Sequence, residues 1–201
     1  MSDSLRERTI SGMLWSFMQK FGTMAIAFVA NIVLARLLTP DDYGCIGMLL
    51  IFIAVANTFI DGGFGSALIQ KKEPTQEDYS TIFYWNLFLS IVLYGILFFT
   101  APFIADFYEI SLLTPVLRVQ GGVLILNALS IIQCNQLRKQ LRFRLIASVN
   151  LTASLLSVVI TIVLAWIGWG IWALVAQQLL FSLFNAILFW SFNKWVPSFL
   201  F

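Results

Sequence analysis

Residues 43–70 read YGCIGMLLIFIAVANTFIDGGFGSALIQ, a long apolar stretch in which Asp61 is the one charged side chain. Roughly 20 consecutive apolar residues in a helix are enough to cross the hydrocarbon core of a bilayer. The stretch therefore predicts a transmembrane helix. It also raises a question, because a carboxylate at membrane depth is costly and the glycines that follow it weaken a helix.

The rest of the chain has the same apolar character. Hydrophobic residues make up 60% of the sequence and charged residues 11%, with a mean hydropathy of +0.88. An ordinary soluble domain is about half apolar and a quarter charged. We therefore predict an all-α membrane protein in which residues 1–201 form one six-helix bundle. The six predicted transmembrane helices cover about residues 11–35, 43–70, 82–104, 112–133, 147–168 and 170–192.

Basic residues concentrate on one side of this predicted bundle. If the N-terminus is cytoplasmic, the opposite side holds Arg36, and the cytoplasmic side holds Arg6, Arg8, Lys71, Lys72, Arg138, Lys139, Arg142, Arg144 and Lys194. Cytoplasmic loops carry the excess of Lys and Arg, so both termini are predicted to be cytoplasmic. The net charge of +2 follows from this topology and from the anionic headgroups of the inner leaflet. It indicates no nucleic-acid partner.

Histidine and several common catalytic motifs are missing from the sequence. The sequence has no histidine, no phosphate-binding glycine loop and no serine nucleophile elbow. Cys45 and Cys134 are predicted to lie about a bilayer apart, which is too far for a disulfide. We therefore predict no catalytic residue, no metal site and no cofactor.

A membrane-embedded glycosyltransferase or acyltransferase subunit is an alternative, since glycosyl transfer needs little more than carboxylates and a metal. Its acids would come from the predicted outer face, from Asp41, Asp42, Asp106 or Glu109. Asp41 and Asp42 follow Pro40, however, where a solvated turn or a helix cap is the simpler interpretation.

Polar side chains inside the predicted helices fall on single faces, because they recur at steps of three or four residues. These stripes comprise Ser16, Lys20, Thr23, Ala27 and Asn31 in the first helix; Ala54, Asn57, Asp61 and Gly65 in the second; Arg118, Gln120 and Asn127 in the fourth; Asn150, Ser154, Ser157 and Thr161 in the fifth; and Gln178, Ser182 and Asn185 in the sixth. Membrane helices also pack through small and weakly polar residues, so packing is the simpler interpretation for the fifth and sixth helices.

Charged residues within the helices point to an interior cavity, because such residues tend to face a bundle interior or water. At about 1.5 Å per residue, Lys20 and Asp61 both lie roughly 14 Å from the predicted inner boundary, so we expect them to pair. Arg118 is either a cavity cation or a residue that extends to the outer headgroups. Arg36 is either a cavity cation or an interface anchor.

The glycines at positions 62, 63 and 65 allow two interpretations. They could bend the second helix where it borders a cavity, since freed backbone groups at membrane depth must be buried in protein or line a cavity. They could equally permit close packing against a neighbouring helix.

Four segments resemble a known family. They are SLRERTISGMLW at 4–15, IVLARLLTPDDYG at 32–44, DGGFGSALIQKKE at 61–73 and GIWALVAQQ at 170–178. Together they resemble the polysaccharide-transporter branch of the multidrug/oligosaccharidyl-lipid/polysaccharide exporter superfamily, which includes the O-antigen and colanic-acid-type flippases.

The resemblance implies a flippase in the bacterial cytoplasmic membrane that moves undecaprenyl-diphosphate-linked oligosaccharide outward for surface polysaccharide synthesis. Members have two six-helix lobes that rock about a central cavity to give alternating access. This chain stops after the sixth predicted helix, and so resembles the N-terminal lobe. The expected partners are the lipid-linked oligosaccharide, membrane lipids, a second lobe or a second copy, and a polysaccharide polymerase.

The expected site is a cationic cavity. Its substrate-binding residues are predicted to be Lys20, Arg36, Arg118, Asn31, Asn57, Gln120 and Asn127. Asp61 is expected either to balance Lys20 or to bind a coupling ion. A non-transporting protein that docks with a polymerase of the same pathway is a further alternative.

Overall fold

The computed structural model describes residues 2–62, 68, 71 and 74–198, with side chains from residue 11 onward. These residues form helices without strands: α1 (Ser2–Leu37), α2 (Pro40–Asp61), α3 (Gln76–Phe107), α4 (Leu113–Gln120), α5 (Gly122–Lys139), α6 (Phe143–Trp166) and α7 (Ile171–Phe192). Within the described ranges, six spans are long and apolar enough to cross a membrane, and α4 and α5 together make the fourth. The predicted all-α membrane fold is confirmed.

The surface and the interior reverse the pattern of a soluble protein. Phe99, Phe103 and Phe107 follow one another along a single face of α3 and are 74%, 74% and 80% exposed. By contrast, Asn86 and Gln133 are fully buried. Large exposed aromatic faces are stable where lipid surrounds the bundle, and polar side chains in membrane helices turn to the interior.

Threonine caps begin helices α2 and α3. The Thr39 hydroxyl accepts from the Asp42 backbone N–H at 3.3 Å, and the Asp42 carboxylate accepts from the Thr39 backbone N–H at 3.0 Å. Thr75 and Asp78 repeat this reciprocal arrangement at the start of α3. Each such cap stabilises a helix by about 1 kcal/mol. Asp42 thus acts as a cap.

The second helix ends earlier than predicted. Gly62 has φ 43° and ψ 10°, a left-handed conformation that glycine adopts without strain, and its N–H donates to the Thr58 carbonyl at 3.0 Å. The helix therefore ends at Asp61 instead of continuing to residue 70. Gly63 and Gly65, the other residues of the predicted bend, lie outside the described residues.

The fourth span is interrupted at Gly121, where the ring of Tyr94 from α3 lies against the backbone. A Cβ atom at Gly121 would lie 2.9 Å from Tyr94 Cδ2, closer than van der Waals contact allows. At the adjacent Gly122, a Cβ atom would make an ordinary contact of 3.7 Å with Leu179. The absence of a side chain at Gly121 lets α3 and the α4–α5 span approach closely.

We expect Gly121→Ala to lower the free energy of unfolding by about 1–3 kcal/mol, because the added methyl group must displace the Tyr94 ring. Gly122→Ala is the matched control, and we expect it to be neutral or to stabilise by about 0.5–1 kcal/mol through reduced backbone entropy. Denaturant titration of the purified protein in detergent measures both. Equal effects of the two substitutions would contradict the close approach at Gly121.

Contacts between neighbouring helices hold the bundle together. Helix α6 lies between α1 and α7, while α3 packs along α4 and α5, and α2 contacts α3 and α7. A buried apolar cluster, in which Leu49, Leu117 and Leu124 are fully buried, joins α2, α4 and α5. The end of the bundle where α2, α5 and α7 finish and α1, α3 and α6 begin is called the basic end below. It is the end predicted to be cytoplasmic.

The segment after α7 crosses the basic end and is held there by hydrogen bonds. The buried Asn193 amide donates to Gln133 Oε1 at 2.6 Å and to Gln136 Oε1 at 2.8 Å, both on α5. Trp195 Nε1 donates to Gln76 Oε1 at 2.6 Å at the start of α3. The segment 193–198 thereby connects α5 and α3.

Candidate functional site

A cavity of about 810 Å³ lies among α1, α2, α5, α6 and α7, toward the basic end. Its lining is rich in side-chain amides, and we call it the amide cavity. The residues that line it are Gln19, Asn57, Thr58, Asp61, Gly62, Asn127, Ser130, Ile131, Cys134, Asn135, Arg138, Asn150, Phe181, Asn185 and Phe189. Six amides with one carboxylate and one guanidinium make a polar cavity within an otherwise apolar bundle.

A chain of hydrogen bonds crosses the cavity wall from α7 to α2. Ser182 Oγ donates to Asn127 Oδ1 at 2.9 Å, Asn127 Nδ2 donates to Asn57 Oδ1 at 3.1 Å, and Asn57 Nδ2 donates to the Ile53 carbonyl at 3.0 Å. Interhelical hydrogen bonds of this kind are worth about 0.6 kcal/mol each on average in membranes. They hold three helices in register around the cavity, and they bring the predicted Asn57 and Asn127 together.

Two amides of the cavity keep free hydrogen-bonding atoms. Asn185 donates through Nδ2 to the Phe181 carbonyl at 3.0 Å, which leaves its Oδ1 without a partner among the described residues. The Nδ2 atom of Asn135, on α5, is likewise buried without a partner there. Both atoms are buried, so a hydroxyl group could bond to them after the amide side chains turned toward the cavity.

The charges in the cavity are Asp61, from the last residue of α2, and Arg138, from the last turn of α5. Both side chains are exposed to the cavity opening. Arg138 can therefore meet an anion there without first breaking a protein ion pair, because the ion pair found among the described residues joins Lys71 and Asp78.

The predicted pairing of Lys20 with Asp61 is wrong. Lys20 is exposed in a separate groove beside Leu141 and Phe143, and it forms no ion pair with Asp61. The cause is the rotation of α1, since a helix turns by about 100° per residue and Gln19, the preceding residue, lines the amide cavity instead.

The rotation of α1 follows from its contact with α6. A Cβ atom at Gly12 would lie 2.6 Å from the Phe143 ring, and one at Gly22 would lie 2.7 Å from the Leu151 side chain. These glycines therefore set the face along which α1 and α6 meet. Lys20 lies beside this face and does not reach the amide cavity.

The other predicted cations also lie elsewhere. Arg118 Nε donates to the Phe98 carbonyl of α3 at 3.3 Å, and its guanidinium carbon lies 4.4 Å from the centroid of the Phe98 ring. Arg118 is thus held between α4 and α3. Arg36 and Asn31 are exposed on α1 and do not line the amide cavity.

Gln120 is fully buried and donates through Nε2 to Gln178 Oε1 at 2.9 Å. This bond joins α4 to α7 outside the amide cavity. Of the predicted site residues, Asn57, Asp61 and Asn127 line the cavity. The amide and charged residues of the lining that the sequence did not predict are Gln19, Asn135, Arg138, Asn150 and Asn185.

The comparisons with known proteins agree with this architecture. Residues 33–201 match the family described as "Polysaccharide biosynthesis protein". The chain is 26% identical to the teichuronic acid biosynthesis protein TuaB of Bacillus subtilis over 98% of its length and 41% of TuaB. It is 26% identical to the succinoglycan biosynthesis transport protein ExoT of Rhizobium meliloti over 93% of its length and 38% of ExoT.

The chain is also 30% identical to the lipopolysaccharide biosynthesis protein WzxC of Escherichia coli over 91% of its length and 36% of WzxC. It therefore spans about two fifths of the length of the curated relatives it matches. No solved structure matches it. Because the family match extends over most of the chain, this multi-pass membrane protein belongs to the polysaccharide biosynthesis protein family.

Proposed function

We propose that the chain supplies one lobe of a flippase that moves diphosphate-linked oligosaccharide across the bacterial cytoplasmic membrane. The observation that carries this proposal is the amide cavity, which combines six side-chain amides with the exposed guanidinium of Arg138. Amides suit sugar hydroxyl groups, and a guanidinium forms short, charge-assisted bonds to phosphate oxygens.

The relatives support a glycan as the cargo. Their names refer to teichuronic acid, succinoglycan and lipopolysaccharide, and one of them is called a transport protein. These polymers differ in their sugars. A cavity that binds through several separate amides fits such variety, because each amide contributes a weak contact that does not require one particular sugar.

The position of the cavity supports loading from the cytoplasmic leaflet. The cavity lies toward the basic end, which the distribution of Lys and Arg predicts to be cytoplasmic. We infer that the diphosphate contacts Arg138 near the opening while the glycan enters among Asn57, Asn135 and Asn185. The second lobe would close the cavity from the opposite side, and rocking of the two lobes would then open it outward.

Asp61 is suited to a coupling role in this scheme. It lies at the junction of α2 with the left-handed Gly62 and borders the same cavity as Arg138. A proton or sodium ion bound at Asp61 would lower the negative charge near an incoming diphosphate. The proposal requires either a second lobe or a second copy of the chain, and a polysaccharide polymerase is a further expected partner.

Complementation tests the proposal directly. We would express two proteins in an Escherichia coli strain that lacks WzxC: the 201-residue chain, and the same chain joined to the part of WzxC outside the matched region. Surface polysaccharide and accumulated lipid-linked precursor are then measured. We expect the joined protein to restore surface polysaccharide and to lower the precursor, because it supplies both sides of the cavity.

The control is the joined protein with Asn135→Leu and Asn185→Leu, which removes two amides from the cavity and keeps the bonds from Ser182 through Asn127 to Asn57 that join the helices. We expect this variant to reach the membrane and to lose most of the restored polysaccharide. Full restoration by the variant would contradict a glycan site in the amide cavity. Failure of the unaltered joined protein, when it is present in the membrane at the level of WzxC, would contradict the proposed function.

A further inference from the structure

A second groove lies between α6 and α7 near the basic end, separate from the amide cavity. Its volume is about 530 Å³, within the range of about 300–1,000 Å³ that is usual for small-molecule sites. Apolar side chains from both helices form its walls, including Leu145, Val149, Leu188 and Phe192, while Ser148 and Thr152 add hydroxyl groups.

The groove opens to the outside of the bundle. Val149 lines it and is 1% exposed, and Phe189, which lines the amide cavity, is 3% exposed. These two side chains pack in one buried cluster together with Leu137 and Ile146. The cluster forms a wall between the two spaces, so a molecule in the groove would be in contact with the surrounding lipid and not with the cavity.

Two arginines border the groove, and no acidic residue of the described chain does. Arg142 precedes α6 and Arg144 lies in its first turn, and both are exposed. The guanidinium carbon of Arg144 lies 5.3 Å from the centroid of the Trp15 ring, which restricts the position of the charge. Neither arginine forms an ion pair within the described part of the chain.

We propose that this groove binds a phospholipid with a net negative headgroup. The phosphate would lie between Arg142 and Arg144, and an acyl chain would lie along Leu145, Leu188 and Phe192. The arginines at the membrane boundary complement the anionic headgroup, and the apolar walls of the groove complement the acyl chain. A soluble anion would leave the apolar part of the groove unfilled. The proposal depends on the membrane fold and is independent of the flippase function.

The bound lipid would join α6 to α7 and, through Arg144 and Trp15, to α1. Helix α1 packs along α6, and the α1 span is the least buried of the spans together with α3. A lipid at this junction would therefore stabilise a helix that packs mainly against one neighbour, α6.

Native mass spectrometry of the purified full chain in detergent tests the proposal with dioleoyl phosphatidylglycerol, dioleoyl phosphatidylcholine and inorganic phosphate as probes. We expect phosphatidylglycerol to bind about 30-fold more tightly than phosphatidylcholine, since each arginine near an anionic lipid contributes roughly a fivefold increase. The double variant R142Q/R144Q should lose this preference.

A second pair of variants separates the groove from general charge effects. Ser148→Phe fills the groove, and Ser191→Phe is its control, because both serines are exposed and both donate to the carbonyl four residues earlier. We expect Ser148→Phe to weaken phosphatidylglycerol binding about tenfold or more and Ser191→Phe to leave it unchanged. The proposal is overturned if the preference survives R142Q/R144Q, if the two phenylalanine variants behave alike, or if inorganic phosphate displaces the lipid at equal concentration.

Discussion

Replacing Arg138 by glutamine is expected to weaken the binding of an isoprenoid diphosphate to this chain by about 10- to 100-fold. Hydrogen bonds to charged groups contribute about 1.5–3 kcal/mol, and Arg138 is the cation that lines the amide cavity. Glutamine keeps a donor and much of the side-chain length, so the substitution removes the charge and the forked geometry with little change in packing. The measurement is a titration of the purified chain with farnesyl diphosphate in detergent.

Two control variants distinguish a contact in the amide cavity from a general effect of charge at the basic end. Lys194→Gln removes a positive charge from an exposed residue at the same basic end that does not line the amide cavity, and we expect it to change binding less than threefold. Asp61→Asn removes the negative charge from the cavity, and we expect binding to stay the same or to tighten. If Arg138→Gln and Lys194→Gln weakened binding equally, general attraction to the basic end would explain the effect and the proposed contact would be wrong.

The number of transmembrane helices could be predicted because the bilayer imposes a length and a composition on each of them. The helix ends were less predictable. Gly62 ends α2, whereas Gly122 is helical as the first residue of α5, and both occur in apolar sequence. Glycine allows both left-handed and helical conformations, so the choice depends on neighbouring helices that the local sequence does not reveal.

The depth of a residue along a helix can be read from sequence, whereas the rotation of the helix about its axis cannot. Lys20 and Asp61 were assigned equal depth, but the packing of α1 on α6 turns Gln19 to the cavity. Arg138 was attributed to topology because it belongs to a basic run. Its position in the last turn of α5, four residues after Cys134 and on the same face, is the signal that could have placed it in the cavity.

The polar stripes proved to be more informative than single residues. Gln178 of α7 accepts a hydrogen bond from Gln120 of the fourth span. Ser182 of α7 donates one to Asn127 of the same span. The simple interpretation, in which polar stripes hold membrane helices together, is therefore correct for these two positions of α7. Asn185, the next residue of the same stripe, instead lines the amide cavity with a free carbonyl oxygen. One stripe can thus begin as a packing contact and end as a binding surface.

Replacing Asn193 by alanine is expected to lower the free energy of unfolding by about 2–4 kcal/mol, because a buried acceptor left without a donor costs about 1–3 kcal/mol. The Asn193 amide donates to the Oε1 atoms of both Gln133 and Gln136, which are fully or almost fully buried on α5. Removing one side chain thus leaves two acceptors unpaired. Because Gln133 Nε2 also donates to the Trp195 carbonyl at 3.2 Å, we expect the segment 193–198 to loosen as well.

Denaturation in detergent, followed by tryptophan fluorescence, measures both consequences. Trp195 donates to Gln76 and packs edge-on against Phe83 at 5.9 Å between ring centroids, so its emission should shift to longer wavelength when the segment leaves α3. Lys194→Ala is the control, since Lys194 is the next residue and is exposed. A destabilisation by Asn193→Ala no larger than that of Lys194→Ala would mean that the glutamines find other donors. The path of the chain after α7 would then be held by Trp195 and Gln76, and not by the buried amides of α5.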